Sequence, residues 1–211
     1  EFSAPSVTID SGHVAFYQAI TGDRSRLPLD AILSEKVTSK IERLVNPMLA
    51  INMINGQTTF ASQNVKGNLF YRGLILNHPV FIGDTLITTT KVVGLRQNTS
   101  KPGRDATGMV ALEIETRNQN EEVVLKYWRC PMIACEDPNI ETGHSDSFDW
   151  IPERLTDEEL LTSLPDWELR AFSSEKIDLP MQEYREGDEI TVIPQDSVTS
   201  APELVRITGN I

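Results

Sequence analysis

The feature that most constrains this chain is a short, almost wholly apolar helical stretch set ahead of a series of long strands. Asn46-Pro47 opens it, with proline suited to the first helical position. Met48-Leu49-Ala50-Ile51-Asn52-Met53-Ile54 follows, and Asn55-Gly56 stops it. Only Asn52 interrupts the apolar surface, so the pattern predicts a helix buried deeply on all sides. Strands are then expected at residues 69–76, 85–93, 107–117 and 123–134. The third alternates cleanly: Val110, Leu112, Ile114 and Thr116 share one face, and Met109, Ala111, Glu113 and Glu115 the other. Gly83-Asp84 marks a turn before the second strand, and residues 98–106, with Pro102-Gly103, join it antiparallel to the third. Residues 118–121 form a hairpin loop, and Pro131 predicts an edge or a bulge in the last strand. The pattern alone gives an α+β chain with an antiparallel sheet that buries one helix.

Ahead of this unit, residues 7–9 are extended, and Asp10 or Ser11 caps a helix carrying Val14, Phe16, Tyr17 and Ile20. Gly22 ends that helix, and residues 23–33 are expected to be a turn region containing Pro28. Residues 138–180 are acidic, contain Pro152, Pro165 and Pro180, and are expected to form a linker. One short helix is expected within them, over residues 156–161, with Thr156 and Glu159 as a capping box. A weak internal echo crosses the whole chain. Ser6-Val7-Thr8 leads to Ile20-Thr21-Gly22-Asp23, and Ser197-Val198-Thr199 leads to Ile207-Thr208-Gly209-Asn210. The first copy spans thirteen residues from threonine to threonine and the second nine. Tyr184-Arg185-Glu186-Gly187-Asp188-Glu189-Ile190, upstream of the second copy, is a turn leading into a strand. Self-similarity of this kind implies two copies of one domain. The expected division is a first domain over 1–137, a linker over 138–180 and the beginning of a second domain over 181–211.

Composition narrows the partners. A net charge of -12 repels a phosphate backbone, so nucleic acid is not an expected ligand. A few local cations can still hold a small anion; Arg72, Arg96 and Arg104 are candidates, with ordinary surface charge as the simpler reading. No apolar run approaches the roughly 18 residues of a membrane span, and no secretory leader opens the sequence, so a soluble cytoplasmic protein is expected. With no initiating Met, the sequence reads like the interior of a longer chain. Cys130 and Cys135 fall on opposite faces of the last strand and are not expected to pair. His13, His78 and His144 are scattered and no C-x-x-C pattern occurs, so zinc is not indicated. His13 suits a capping role at its helix start, and His78 suits a turn or the surface. Tyr127 and Trp128 alternate across a strand, as core or interface residues do.

Several blocks carry a family resemblance. Tyr17-Gln18-Ala19-Ile20-Thr21-Gly22-Asp23 resembles the opening of MaoC-like hydratase domains, whose motif reads G-D-x-N-P-L-H. Gly83-Asp84-Thr85-Leu86, its continuation through Lys91-Val92-Val93-Gly94-Leu95-Arg96-Gln97-Asn98, and the stretch around Glu121-Glu122-Val123-Val124-Leu125-Lys126-Tyr127 resemble the N-terminal half of mesaconyl-CoA (2-methylfumaryl-CoA) hydratases. The resemblance implies a hotdog fold, an antiparallel sheet wrapped around a central helix, followed by the start of a second hotdog repeat. It implies reversible hydration of an α,β-unsaturated acyl-CoA, with the CoA thioester as substrate and no metal or other cofactor. In the family motif an Asp and the His five residues later share one water, and a backbone N–H at a helix start polarises the thioester carbonyl. Here Pro28 occupies the His position of the first copy, which makes the first domain a non-catalytic one and leaves Asp23 a helix-end residue. In the second copy Asn210 stands at the Asp position and is the catalytic residue expected in this sequence, holding a water or a carbonyl by hydrogen bonds. The corresponding His would fall beyond position 211. A non-catalytic acyl-CoA-binding or dimerisation module is the alternative. A hotdog thioesterase needs a carboxylate on the buried helix, and this helix offers none. A double-hotdog pseudo-dimer or a homo-oligomer would cover the free sheet edges.

Overall fold

A computed structural model describes residues 1–173, 185–191 and 200–211. The start of the second copy, Ser197-Val198-Thr199, as well as Tyr184 and Pro180, therefore lies outside the described residues. Two short strands, β1 (Phe2–Ser3) and β2 (Val7–Thr8), precede helix α1 (Ser11–Thr21). Helices α2 (Arg26–Leu29), α3 (Ala31–Thr38) and α4 (Pro47–Gln57) follow, and a 3₁₀ turn (Thr59–Ser62) leads into the sheet. Its long strands are β3 (Val65–Leu76), β4 (Thr85–Gln97), β5 (Thr107–Arg117) and β6 (Val123–Ala134). They run antiparallel in the order β1-β4-β5-β6-β3, with β2 also paired to β4.

Helix α4 lies against the inner face of this sheet. Asn46 caps it by accepting the Met48 N–H at 2.7 Å, and Leu49, Ala50, Met53 and Ile54 sink into a core shared with Leu86, Leu112, Ile114, Leu125 and Tyr127. Each such side chain contributes about 1.5–3 kcal/mol through burial. The expectation of burial on all sides is corrected here: Met48 is 53% exposed, and Ile51 and Asn52 are only half-buried. One stripe of the helix therefore faces outward, and Asn52 stands in it. At the C-terminal end, the buried Arg129 donates to the Thr58 carbonyl at 3.0 Å and to the Ser62 hydroxyl at 2.8 Å. A cation there suits the negative end of the helix dipole, which lets a guanidinium sit in the core.

The outer face of the sheet is covered as well. Residues 144–151 cross it, burying Phe148 and Ile151 against Ala111 and Cys130. Gly94 permits this crossing, because an added Cβ would lie 2.8 Å from the Phe148 ring. Helix α5 (Asp157–Thr162) follows with its capping box closed between Thr156 and Glu159, and α6 (Arg170–Ser173) comes after it. Cys130 and Cys135 are both free thiols, and burial pushes the Cys130 thiol up in pKa.

One local expectation is corrected. Residues 23–33 are not a turn region throughout. Asp30 accepts the N–H groups of Ile32 and Leu33, both at 3.0 Å, and starts α3, while Leu33 and Val37 pack one helical turn apart. Of the edge or bulge expected at Pro131, the irregularity is the one observed: β6 lies between β5 and β3, and Pro131 sits opposite Asn68, where the β3 register shifts. The Gly83-Asp84 turn is a staple: Ile9 and Gly83–Asp84 exchange backbone hydrogen bonds, and the Asp84 carboxylate holds the Phe81 N–H and the Gln119 amide.

Candidate functional site

Helix α7 (Ala201–Thr208) returns to the first unit and packs against both α1 and α4. Leu204 and Ile207 join the edge of the α4 core, and Thr208 is buried. The approach is close enough to dictate a residue type. A Cβ on Gly56 would stand 1.8 Å from the Thr208 carbonyl oxygen, so the contact requires glycine. The helix stop expected near Asn55-Gly56 falls at Gln57, and Gly56, in the last turn of α4, also serves the crossing.

The ends of α1 and α7 are built alike. Thr21 donates its hydroxyl proton to the Tyr17 carbonyl at 2.7 Å, and Thr208 does the same to Leu204 at 2.8 Å. Gly22 (φ 66°) and Gly209 (φ 68°) both close their helices in the left-handed region, their N–H groups donating to Gln18 and Val205 at 2.9 and 2.7 Å. The next N–H, from Asp23 or Asn210, reaches back to the threonine hydroxyl at 3.3 Å in both. The echo of Thr21-Gly22-Asp23 and Thr208-Gly209-Asn210 is thus one hydrogen-bond pattern written twice.

Beyond that shared frame the two side chains part. Asp23 accepts the Ser25 N–H at 3.0 Å, the Ser25 hydroxyl at 2.6 Å and the Asn46 amide at 2.8 Å. Partial burial works against its charged form, but the hydrogen bonds from Ser25 and Asn46 outweigh it and hold the carboxyl below the usual carboxylate range. Its acceptor capacity is committed to tying α1 to the start of α4. Pro28 is buried, and its carbonyl accepts the Gln18 amide at 3.3 Å. Asn210 instead donates its Nδ2 to Asn52 Oδ1 at 2.8 Å, and Asn52 donates its own Nδ2 to the Met48 carbonyl at 2.8 Å. A cavity of about 390 Å³ opens at the α4–α7 crossing, lined in part by Phe2, Met53, Gly56, Phe60, Ile207 and Thr208; neither Asn52 nor Asn210 lines it.

The other sequence candidates fall elsewhere. His13 completes the cap of α1, its ring Nδ1 2.8 Å from the Asp10 carboxylate. His78 makes a half-exposed pair with Glu122 at 3.4 Å. Arg72 is spent on the Ile151 carbonyl, the Glu153 carboxylate and the Phe70 ring, and Arg96 lies over Phe148. Both guanidinium groups hold the outer crossing segment. Sequence reasoning missed Asn52 as a site residue, although its signal, one polar residue in an apolar helix, was visible. Among the described residues no cluster of three or more His, Cys, Asp or Glu side chains could hold a metal ion, and no helix is long and apolar enough to cross a membrane.

No family model matches the chain. It is 37% identical over 150 residues to β-methylmalyl-CoA dehydratase of Chloroflexus aurantiacus, covering 69% of this chain and 41% of that protein. It is 30% identical over 131 residues to mesaconyl-CoA hydratase of Cereibacter sphaeroides, covering 62% of this chain and 37% of that protein. Among solved structures, a double-hotdog protein of unassigned function from Mycobacterium tuberculosis superposes with a TM-score of 0.80 at 37% identity, over 99% of this chain and 63% of that one. A MaoC-domain protein described as a dehydratase, from Chloroflexus aurantiacus, gives 0.66 at 34% identity, over 73% of this chain and 42% of that one. This chain is similar in sequence and fold to MaoC-like hotdog proteins. The hotdog architecture implied by the resemblance is the one observed. Because the MaoC-like chain spans less than half of the two curated relatives it matches, it corresponds to a part of proteins of that kind.

Proposed function

We propose that the protein is a reversible enoyl-CoA hydratase that adds water to an α,β-unsaturated acyl-CoA, with mesaconyl-CoA as the substrate to test first. In this reading residues 1–137 form a non-catalytic hotdog, residues 138–180 connect it onward, and residues 181–211 begin a second hotdog that carries the chemistry. The observation that supports this division is the helix-end pattern repeated at Asp23 and Asn210, with one copy closed and the other open. Asp23 is engaged by Ser25 and Asn46 through both oxygens, and the buried Pro28 stands where the family motif has its proton-transferring His. Asn210 gives its NH₂ group to Asn52 and keeps its amide oxygen available at the corresponding position of the second copy.

In the proposed reaction Asn210 holds the attacking water or the thioester carbonyl, and a His five residues further on exchanges the proton. Histidine suits that exchange because its pKa lies close to neutral. The CoA thioester is the substrate, and neither metal nor another cofactor enters the reading. The two curated relatives, named for β-methylmalyl-CoA dehydration and mesaconyl-CoA hydration, are named for opposite directions of one kind of reaction, which supports a branched dicarboxylic acyl group. A partner hotdog, within the same chain or from a second copy, would cover strand β3, which among the described residues has only β6 beside it in the sheet.

The deciding experiment incubates the full-length protein with mesaconyl-CoA and, separately, crotonyl-CoA, and follows absorbance of the conjugated thioester. Loss of that absorbance, faster with mesaconyl-CoA, is the expected result. If no enoyl-CoA is hydrated, yet acyl-CoA still binds, the enzyme reading fails and a binding module replaces it.

A further inference from the structure

We propose that Asn52, on the central helix of the first hotdog, is a positioning residue that sets which end of the Asn210 amide faces the reaction. The inference rests on the proposed role of Asn210 in hydration.

The argument is one of hydrogen-bond polarity. A backbone carbonyl can only accept, so the Met48 oxygen at 2.8 Å fixes which end of the Asn52 amide turns inward: the NH₂ group. That leaves Asn52 Oδ1 facing outward, and an amide oxygen can also only accept. The atom 2.8 Å from it must therefore be the Asn210 NH₂ group. Asn210 Oδ1 is then the end turned away from α4, and no donor among the described residues reaches it. Two amides in series thus carry the direction of the α4 backbone out to Asn210. Without Asn52 the Asn210 amide could rotate by half a turn, presenting a donor where the acceptor now stands.

An acceptor oxygen held in one place suits a water that must be oriented before it attacks. It takes one water proton as a hydrogen bond and leaves the other for the base. No covalent step occurs at Asn52 or Asn210. The placement also links the two repeats, since the residue that orients the second-copy amide lies 158 positions away on the first.

The test uses hydration kinetics of the full-length protein with mesaconyl-CoA. Asn52→Ala should lower kcat roughly 10- to 100-fold, the scale of a misoriented reacting group, while KM changes little. Asn52→Asp keeps an acceptor toward Asn210 but turns a carboxylate oxygen on the Met48 carbonyl, so it should recover only part of the lost rate. In an Asn210→Ala background, Asn52→Ala should cost nothing further, because Asn52 acts only through Asn210. If Asn52→Ala does not fold, Asn52→Leu preserves the volume and serves the same comparison. Asn210→Ala that is impaired while the Asn52 variants keep wild-type kcat overturns the positioning role and leaves the proposed activity standing. A full Asn52→Ala loss on top of Asn210→Ala overturns it too. Asn210→Ala hydrating at the wild-type rate instead removes the catalytic assignment of Asn210, and the inference with it.

Discussion

Two helix ends in this protein share a backbone and differ in one atom of chemistry. After α1 the chain reads Thr-Gly-Asp, and after α7 it reads Thr-Gly-Asn, with the same threonine back-bond and the same left-handed glycine. Each polar residue then grips α4, but at different heights. At the start of α4 the free backbone groups are N–H donors. Asn46 spends its oxygen on the Met48 N–H and presents its NH₂ outward, where a carboxylate is the fitting partner. Further along, the Met48 carbonyl takes the Asn52 NH₂, so Asn52 presents oxygen outward and an amide is the fitting partner. The helix is directional, and that direction accounts for Asp23 in one copy and Asn210 in the other.

The largest effect should come from breaking the second grip sterically. Gly56→Ala places a methyl group on the Thr208 carbonyl, which as backbone cannot step aside cheaply. A loss of about 3 kcal/mol is expected, with α7 released from α4. Hydrogen exchange over residues 201–208 should rise sharply while exchange in β5 stays slow; unchanged protection of α7 would show that the crossing is looser than its geometry. Gly22 has no such neighbour, so the two copies differ here as well.

A smaller effect follows from exchanging the chemistry. Asn210→Asp sets a carboxylate against Asn52 Oδ1, two acceptors with no proton between them, and should weaken the α7 contact by about 1–2 kcal/mol at neutral pH. The new carboxyl should have a raised pKa in the folded state, so the penalty is present above that value and disappears as falling pH protonates it. Denaturant titrations at neutral and acidic pH test this. A penalty that stays constant with pH would break the polarity argument.

The smallest effect belongs to the first copy. Asp23→Asn should cost about 1 kcal/mol at neutral pH, because one of its two acceptor oxygens becomes an NH₂ group that faces a donor, either the Asn46 amide or the Ser25 N–H, at a partly exposed site. Because the Asp23 carboxyl is held below the usual range, its stabilisation is complete above about pH 4 and is lost as pH falls through the lower folded value. Wild type and variant should therefore converge in acid because the wild type weakens, whereas Asn210→Asp converges because the variant recovers. The same unfolding measurements distinguish the two.

How much of this was legible in the sequence depended on the range of the interaction. Pro47 and the apolar run behind it marked α4, and alternation from Met109 to Thr116 marked β5, because periodicity is a property of neighbours. The Thr156 and Glu159 capping box was readable for the same reason. Helix α3 was also locally encoded, by Asp30 and the spacing of Leu33 and Val37, but Pro28 obscured it. The open stripe of α4 was not legible, since an apolar face looks the same whether the sheet covers it or leaves it bare. Nor was the burial of Phe148, which rests on the missing Cβ of Gly94 on a distant strand.

By itself, then, the sequence determined the central helix, the antiparallel strands and the glycine that closes α1. These follow from hydrogen bonds and side-chain spacing within a few residues, whereas Asn210 became a candidate only through the resemblance of the second copy to a family motif. Only the tertiary structure decided that Asp23 is engaged by Ser25 and Asn46 while Asn210 meets Asn52, and that Gly56 admits α7 to the central helix. Those outcomes depend on which end of an amide, or which side of a helix, two distant segments present to each other, and no local pattern carries that information.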